Sequence, residues 1–462
     1  MKIGSHQIPA QTQLLAIVDT AAIVLALIGT IGLRFAGNSP RILSSGAAWA
    51  RITLVTAVYW VSLYFSDLYD FRVLRRRVSF VPHIMRALGA GCVILGLTYF
   101  ALPEANIGRG IMLISVPIIF LLLLSWRFFA DSEKLLAQGD ERVLVMGTSE
   151  AGVSLVRHVL KHPEYNMRVV GFLDEQGENI GKSLVNPRII GAVADVEEIV
   201  AREKADRVVL SLLERRGGTP VQQLLGLKLA GVSVEDVHTC RERLCGEITL
   251  EHLAPSWLIL SDGFEKSRAL LAAKRAIDIL VSSLVLLLIS PLLPVVALAI
   301  YLETGRPIFF RQNRVGYKGV GFELLKFRSM VQDAEKDGPR WASREDSRVT
   351  VVGRVLRKTR LDEIPQLFNV LRGEMSLVGP RPERPCFCTM LEEEIPYFSL
   401  RHSIRPGLTG WAQVRFRYSA SLDDAKEKLA LDLFYLKNLS LMLDLAILFE
   451  TVKVVLLGRG AY

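Results

Sequence analysis

The apolar positions of this chain fall into long blocks. Four runs occupy the first 130 residues, about Leu14–Leu33, Ala47–Phe65, Ile84–Leu102 and Ile111–Phe129. Each has close to the ~20 residues a helix needs to cross a hydrocarbon layer of roughly 30 Å. Four such runs joined by short links predict a transmembrane bundle over residues 1–135, in preference to a bundle of buried soluble helices. The first run is too long for a signal peptide and has little basic charge before it beyond Lys2. Asp19 lies inside the first helix. A carboxylate is costly there, so it is expected to find a polar partner within the bundle.

Charge in the links sets the expected orientation. The second link holds Arg72, Arg75, Arg76 and Arg77, the first Arg34 and Arg41, and the third only Arg109. Cationic loops stay in the cytoplasm. Four crossings then place the N-terminus and everything after Phe129 on the cytoplasmic side.

A fifth run, Ala276–Leu302, has 27 residues and would reach about 40 Å as one helix. Both flanks are basic, with Lys266, Arg268, Lys274 and Arg275 before it and Arg306, Arg311, Arg314 and Lys318 after. Ser290, Pro291 and Pro294 interrupt its middle, where proline removes a hydrogen bond and kinks the helix. The pattern predicts a re-entrant helix over 276–302, broken at Ser290 and Pro291, that dips into one leaflet and returns. The alternative is a fifth crossing, which would export residues 303–462.

Between these membrane segments, residues 136–262 are soluble in character. Arg142–Gly152 reads as strand, tight turn and helix start, and Arg168–Glu175 as a second strand. A helix near Asp195–Lys204 and a strand at Arg207–Leu212 follow. Strands alternating with helices predict a parallel, Rossmann-like α/β sheet. Gly147 and Gly152 fit the first and third glycines of a dinucleotide fingerprint, and Asp174 ends the second strand. Ser149 stands where the middle glycine would let a pyrophosphate approach. Nucleotide binding and a role in packing, oligomerisation or sensing both stay open for this domain.

Composition narrows the chemistry. The chain has 462 residues, of which 50% are hydrophobic and 22% charged. Its mean hydropathy is +0.32. This excludes a disordered chain and argues against a wholly soluble one. A net charge of +9 suits an anionic partner; nucleotide, phospholipid and nucleic acid all fit. The five cysteines give no disulfide framework, as in a reducing compartment. His238, Cys240, Cys245 and His252 match no familiar zinc spacing, and Cys386 and Cys388 are expected to be packing residues.

The densest chemistry lies after Pro307. Lys326–Met330 reads K-F-R-S-M, and Gly353–Pro382 holds Asp362-Glu363. An adjacent acid pair is ordinarily solvated surface. Here Arg354, Arg357, Lys358 and Arg360 precede it, Arg372 and Arg381 follow, and Leu361, Ile364, Leu367, Phe368 and Val370 surround it. Such a pair can hold a divalent cation while its cations bind phosphate. With a reference pKa of ~3.9 an Asp is ionised at neutral pH. It can attack phosphorus if cations offset a repulsion of about 4 kcal/mol per charge pair at 4 Å. Pro365 is expected to break a helix or start one just after the pair. The tail, Leu429–Leu457, suits a helix on the membrane surface or a buried core helix.

Several ordered segments resemble one family. They are the run with Ser290-Pro291, P-I-F-F-R-Q-N-R-V-G (Pro307–Gly316), K-F-R-S-M, L-D-E-I-P-Q-L-F-N-V-L-R-G-E-M-S-L-V-G-P-R-P, R-P-G-L-T-G-W-A-Q-V (Arg405–Val414) and L-D-L-F-Y-L-K-N-L-S-L-M-L-D (Leu431–Asp444). Residues 266–462 resemble the bacterial polyisoprenyl-phosphate hexose-1-phosphate transferases, the monotopic phosphoglycosyl transferase superfamily. Ser256–Phe264 looks like the exopolysaccharide-associated branch. The resemblance implies a multidomain membrane protein of the bacterial inner (cytoplasmic) membrane. It would combine a four-helix transmembrane bundle, a Rossmann-like α/β domain at 136–262 and an α/β-type monotopic catalytic domain at 263–462 with a re-entrant membrane helix, facing the cytoplasm.

The implied reaction passes a sugar-1-phosphate from a UDP-sugar to polyprenyl (undecaprenyl) phosphate, releases UMP and starts exopolysaccharide, capsule or O-antigen synthesis. By resemblance, Asp362 is the nucleophile, forming an aspartyl-phosphosugar, and Glu363 binds Mg²⁺. Lys326, Arg328, Arg357 and Arg381 bind phosphate or orient the site. Arg417, Asp432 and Asp444 fall where the family places site residues. R-F-R-Y-S-A after Val414 departs from the small members, which leaves the role of Arg417 and the choice of sugar open. Membrane lipids are implied partners, nucleic acid is not, and a homodimer is compatible. The rivals are a glycosyltransferase that releases UDP and a non-enzymatic nucleotide-sensing scaffold.

Overall fold

A computed structural model describes residues 2–3, 6–7, 10–35, 39–66, 68–69, 80–130, 141–162, 165, 167–212, 220–250, 258, 261, 263–332, 334, 348–416 and 421–456. The chain divides into two compact units, residues 8–236 and residues 237–462, the second joined by residues 2–7.

Four apolar helices open the first unit: α1 (Ala10–Phe35), α2 (Gly46–Phe65), α3 (Phe80–Ala101) and α4 (Arg109–Ala130). All four contain spans long and apolar enough to cross a membrane. Ile23, Leu27, Ile52, Tyr59, Ile84 and Leu123 form their shared core. Leu25, Leu33, Leu97, Leu113 and Leu121 point outward and are exposed, as expected for a bundle whose surroundings are themselves apolar. The cationic link Arg72, Arg75, Arg76 and Arg77 lies outside the described residues.

Asp19 finds the partner its burial demands. Arg127 Nη1 and Nη2 donate to its two carboxylate oxygens at 2.8 and 2.7 Å, and Trp126 Nε1 adds a bond of 3.0 Å. This fork joins the early part of α1 to the end of α4. It therefore brings the start of the first helix and the end of the fourth to one end of the bundle, as an even number of crossings requires.

The parallel sheet expected after the bundle is present. Its strands are β1 (Glu141–Met146), β2 (Met167–Asp174), β3 (Ile189–Ala192), β4 (Arg207–Leu210) and β5 (Ser233–Asp236). They pair in the order β3-β2-β1-β4-β5, all parallel. Helices α5 (Glu150–Lys161), α6 (Val196–Glu203) and α7 (Val221–Leu229) make the crossovers. Strand order reverses between β1 and β4, where ligands bind in such sheets.

The fingerprint residues serve packing at that point. Gly147 has φ +103°, and a Cβ there would meet the Ser211 carbonyl oxygen at 2.3 Å. A Cβ on Gly152 would strike Ser211 Oγ at 2.4 Å. The Ser149 and Ser211 hydroxyls share a 2.5 Å hydrogen bond. The Gly147 and Ser149 N–H groups donate to strand carbonyls at Leu173 and Ser211 instead of facing an anion. Asp174 is buried and accepts from the Asn179 backbone and side chain. Gly147, Gly152 and Asp174 thus each make contacts inside the domain.

The unit boundary falls at Asp236/Val237 and not near residue 262, because the segment after β5 packs into the second unit. Helix α8 (Val237–Cys245) places Glu242 against Lys437 and Asn438 at 2.7 and 2.9 Å. Beyond it, Nε1 of Trp411, the first residue of the short helix α14 (Trp411–Arg415), donates to the Gly246 carbonyl, and Ile248 joins the second unit's core. That core also takes Leu429, Leu433 and Phe434 from α15 (Leu422–Asn438).

The fifth apolar run forms two helices, α9 (Arg268–Ile289) and α10 (Leu293–Thr304), bent by 65° at a break over Ser290, Pro291 and Leu292. The tail resolves both alternatives. Helix α15 is core, whereas α16 (Leu441–Leu456) buries Leu443 and Ile447 and exposes Met442, Leu445, Phe449 and Val452. Cys388 is buried as expected, but Cys386 is exposed, since it lies on the outer side of the short helix α13 (Pro385–Glu394).

Removing one partner of a buried ion pair costs about 3–5 kcal/mol, while an apolar replacement of both is often neutral. Arg127→Met should therefore lower thermal stability in detergent markedly, and Asp19→Leu combined with Arg127→Met should recover most of the loss. Light-scattering or fluorescence melts of the three proteins would check this.

Candidate active site

The acid pair sits at a sharp corner. Thr350 caps α11 (Val351–Thr359) by accepting from Gly353 N at 2.9 Å. The Glu303 carboxylate at the end of α10 accepts from Val351 N and Val352 N at 2.7 and 3.0 Å, which suits the positive end of a helix. Arg360 ends α11 in the left-handed region, φ 60°. The chain then makes a single tight turn, Leu361–Glu363, and Pro365 caps α12 (Gln366–Arg372). Here proline starts a helix, one of the two expected outcomes.

A hairpin of β6 (Phe309–Val315) and β7 (Gly321–Phe327) brings Lys326 to this corner. Asn369, fully buried on α12, fixes the register. Its Oδ1 accepts from Leu325 N at 3.1 Å and its Nδ2 donates to the Glu323 carbonyl at 2.7 Å. Arg381 arrives after β8 (Ser376–Val378), which pairs in parallel with β9 (Gly407–Thr409). Lys326 Nζ and Arg381 Nη2 both bond Glu363 Oε1, at 3.0 and 3.1 Å.

Asp362 is buried, and its Oδ1 has no hydrogen-bond partner. One helical turn on, Gln366 is equally buried with Nε2 unpartnered. A free acceptor and a free donor at i and i+4 are costly unless a ligand completes them. Sequence reading passed over Gln366 and Asn369; their place four and seven residues after Asp362, in the helix that Pro365 starts, was the available signal.

Electrostatics separates the two carboxylates. Burial pushes Asp362 up, the Glu363 charge adds to this, and Lys326, Arg360 and Arg357 oppose it. Its oxygens are thus more basic than those of a free aspartate. Burial would also raise Glu363, but Lys326, Arg381 and Arg360 together hold it well below the usual carboxylate range. Burial pulls Lys326 down against the pull of Glu363, and Glu363 holds Arg381 up.

The donor set fits Mg²⁺, which takes one or two carboxylates and completes its shell with water and substrate phosphate. Both cations on Glu363 use Oε1, leaving Oε2, and Asp362 Oδ1 is an orphaned acceptor. Among the described residues no cluster of three or more metal-ligating side chains exists, so a metal here would depend on substrate oxygens.

Other expected site residues go elsewhere. Arg328 is buried, and its Nη2 donates to the Thr304 carbonyl at 2.8 Å, to Thr304 Oγ1 and to the Gly305 carbonyl. It caps α10 instead of reaching the carboxylates. Asp444 accepts from Lys274 and Tyr435, each at 2.6 Å, in a buried cluster. Lys274, one of the basic flanking residues, is thus paired inside the unit. Asp432 pairs with buried Arg401 at 2.8 Å, and Arg401 donates to the Arg381 carbonyl at 3.0 Å. Asp432 thus stands behind Arg381. Arg357 lies in the last turn of α11, and Arg417 lies outside the described residues.

Residues 269–458 match the family described as bacterial sugar transferase, and residues 64–225 match one described as CoA-binding domain. The chain is 32% identical over 343 residues to the UDP-glucose:undecaprenyl-phosphate glucose-1-phosphate transferase of Klebsiella pneumoniae, covering 73% of this chain and 72% of that one. The chain belongs to the bacterial sugar transferases. It is also similar to the undecaprenyl-phosphate glucose phosphotransferase of Komagataeibacter xylinus, 29% identical over 99% of this chain and 86% of that one. A third relative is the UDP-N-acetylgalactosamine-undecaprenyl-phosphate N-acetylgalactosaminephosphotransferase of Aeromonas hydrophila. Identity there is 43% over 50% of this chain and 54% of that protein. As a bacterial sugar transferase the chain is an enzyme, and the matched span contains α9 through α16, the acid pair included.

The placement of Asp444 makes a prediction. Lys274→Met would leave Asp444 buried without its cation and should destabilise the protein by about 3–5 kcal/mol. Asp444→Asn should lower the melting temperature while leaving KM for the nucleotide substrate within about twofold, since neither residue reaches the carboxylate corner. Melts and steady-state kinetics on the same preparations would check both.

Proposed function

We propose that this enzyme transfers a sugar-1-phosphate from a UDP-sugar to undecaprenyl phosphate through a covalent intermediate on Asp362. The observation that carries this reading is the buried, unpartnered Asp362 Oδ1 beside a glutamate clamped by two cations. Relatives named for glucose-1-phosphate transfer from UDP-glucose and for N-acetylgalactosamine phosphotransfer to the same lipid support the substrate class and leave the sugar between those kinds.

An Asp362 oxygen attacks the phosphorus attached to the sugar. A P–O bond forms to the carboxylate, the P–O bond to UMP breaks, and UMP leaves with the electron pair. An undecaprenyl phosphate oxygen then attacks the same phosphorus, the acyl-phosphate bond breaks, and Asp362 is regenerated. The basic character that burial gives Asp362 favours the first attack. Arg357, Arg360 and Arg381 lie where they can offset the charge of the incoming phosphates, and Gln366 Nε2 can donate to a phosphate oxygen. Mg²⁺, held by Glu363, would screen substrate phosphate charge.

The location of one substrate in a lipid layer fits the geometry of α9 and α10. Lys274 and Arg275 near the start of the pair, and Glu303 and the carbonyls capped by Arg328 at its end, all bond into the same unit. Both ends of the bent pair thus belong on one face, which favours a re-entrant hairpin over a fifth crossing. With an even number of spans before it, the catalytic unit would face the cytoplasm. The exposed apolar stripe of α16 suits a helix lying on that surface.

With radiolabelled UDP-sugar and membranes, Asp362→Asn should abolish labelled lipid and labelled protein alike, and the released nucleotide should be UMP. Release of UDP, or unchanged labelling by the variant, would refute the mechanism. Arg381→Met should lower kcat about 10²–10³-fold, the usual effect of removing one charge-stabilising donor. Chelation with EDTA should stop turnover, and added Mg²⁺ should restore it.

A further inference from the structure

A cavity in the second unit is separate from the acid pair. It has a volume of about 630 Å³ and neither Asp362 nor Glu363 lines it, a size typical of small-ligand sites. Tyr317, in the turn joining β6 to β7, stands at its wall.

Its lining is amphipathic. Leu258, Phe264, Leu271, Leu400, Leu436 and Leu439 make an apolar wall. Lys266, Arg275 and Arg405 bring three cations. Lys266 bonds the Gly263 and Lys437 carbonyls, Arg275 those of Val370 and Leu371, and Arg405 that of Gly373. Among the described residues none of the three pairs with a carboxylate. Lys274, also in the wall, is matched by Asp444, so Asp278 is the single acid set against three cations. Burial pushes Lys266 down to about 8, a cost that a bound anion would relieve.

Position narrows the ligand further. Ile279, Leu280, Leu284 and Leu287 of α9 are exposed, beginning one helical turn after Arg275. The cavity therefore lies beside the polar end of an apolar helix, at the level where lipid headgroups meet a membrane-inserted segment.

We propose that this cavity is a binding site for an anionic bilayer phospholipid, whose phosphate meets Lys266, Arg275 and Arg405 and whose upper acyl chain lies on the leucine wall. It rests on the reading of α9 and α10 as a membrane hairpin and not on the chemistry at Asp362. The site would tie the catalytic unit to anionic regions of the bilayer while the substrates use the corner at Asp362.

Native mass spectrometry of the full-length protein, titrated with phosphatidylglycerol, phosphatidylcholine or undecaprenyl phosphate, tests this. Wild type and Asp362→Asn should each retain one phosphatidylglycerol in preference to phosphatidylcholine. Lys266→Gln combined with Arg405→Gln should weaken that retention by at least about fivefold, the effect of losing one lipid-facing charge. Ser403→Trp, which fills the cavity and keeps its cations, should weaken it as well. Equal retention by both variants would overturn the proposal. So would a site that takes undecaprenyl phosphate and refuses phosphatidylglycerol. Labelling of Leu287→Cys by an aqueous maleimide in proteoliposomes would overturn the hairpin reading and this proposal together, whereas lost lipid selectivity alone overturns only the proposal.

Discussion

The hydrogen bonds that a broken apolar helix pair makes at its two polar ends hold the corner of Asp362 and Glu363 in place. Near the start of α9, Arg275 bonds the last carbonyls of α12, the helix that comes after the acid pair, and Asp278 bonds Ser376 and Leu377 in the strand that leads to Arg381. At the end of α10, Glu303 caps the helix that precedes the acid pair. The segments carrying Asp362, Glu363 and Arg381 are each tied to the same hairpin. Terminal N–H and C=O groups of helices need partners, and here side chains of α9 and α10 supply them. The site cannot move relative to α9 and α10 without breaking these bonds.

This constraint explains why so many charged residues of the second unit are buried. Lys274, Asp278, Arg328, Arg401 and Asp432 are all nearly inaccessible. Each is matched by an opposite charge or by backbone carbonyls and amides. Around the acid pair the balance is different. Glu363 has more cation contact than it needs, Asp362 has less than it needs, and Gln366 lacks an acceptor. At this corner an unpartnered acceptor and an unpartnered donor lie four residues apart.

The family assignment and the geometry meet at different resolutions. Similarity shows a bacterial sugar transferase over α9 to α16. The geometry separates residues at the corner from residues behind it. Lys326 and Arg381 touch Glu363, whereas Asp432 reaches Arg381 only through Arg401, and Asp444 is part of a buried pin with Lys274 and Tyr435. In the first unit the same separation applies: the glycine fingerprint folds a parallel sheet, and its loop amides are used within that sheet.

Sequence alone determined the features that depend on local pattern. Apolar runs of membrane length, the break at Ser290-Pro291, strand and helix alternation after residue 141, and the cationic surroundings of Asp362-Glu363 are all properties of neighbours along the chain. Hydrophobic burial and proline stereochemistry act at that range, so they were legible. Tertiary structure decided which charge meets which. Arg127 answers Asp19 from more than a hundred residues away, Arg328 turns to a helix end instead of a phosphate, and Asp444 finds Lys274 across the core. Those outcomes depend on which buried donor lies within about 3 Å of which acceptor, a distance set by packing that no linear spacing encodes.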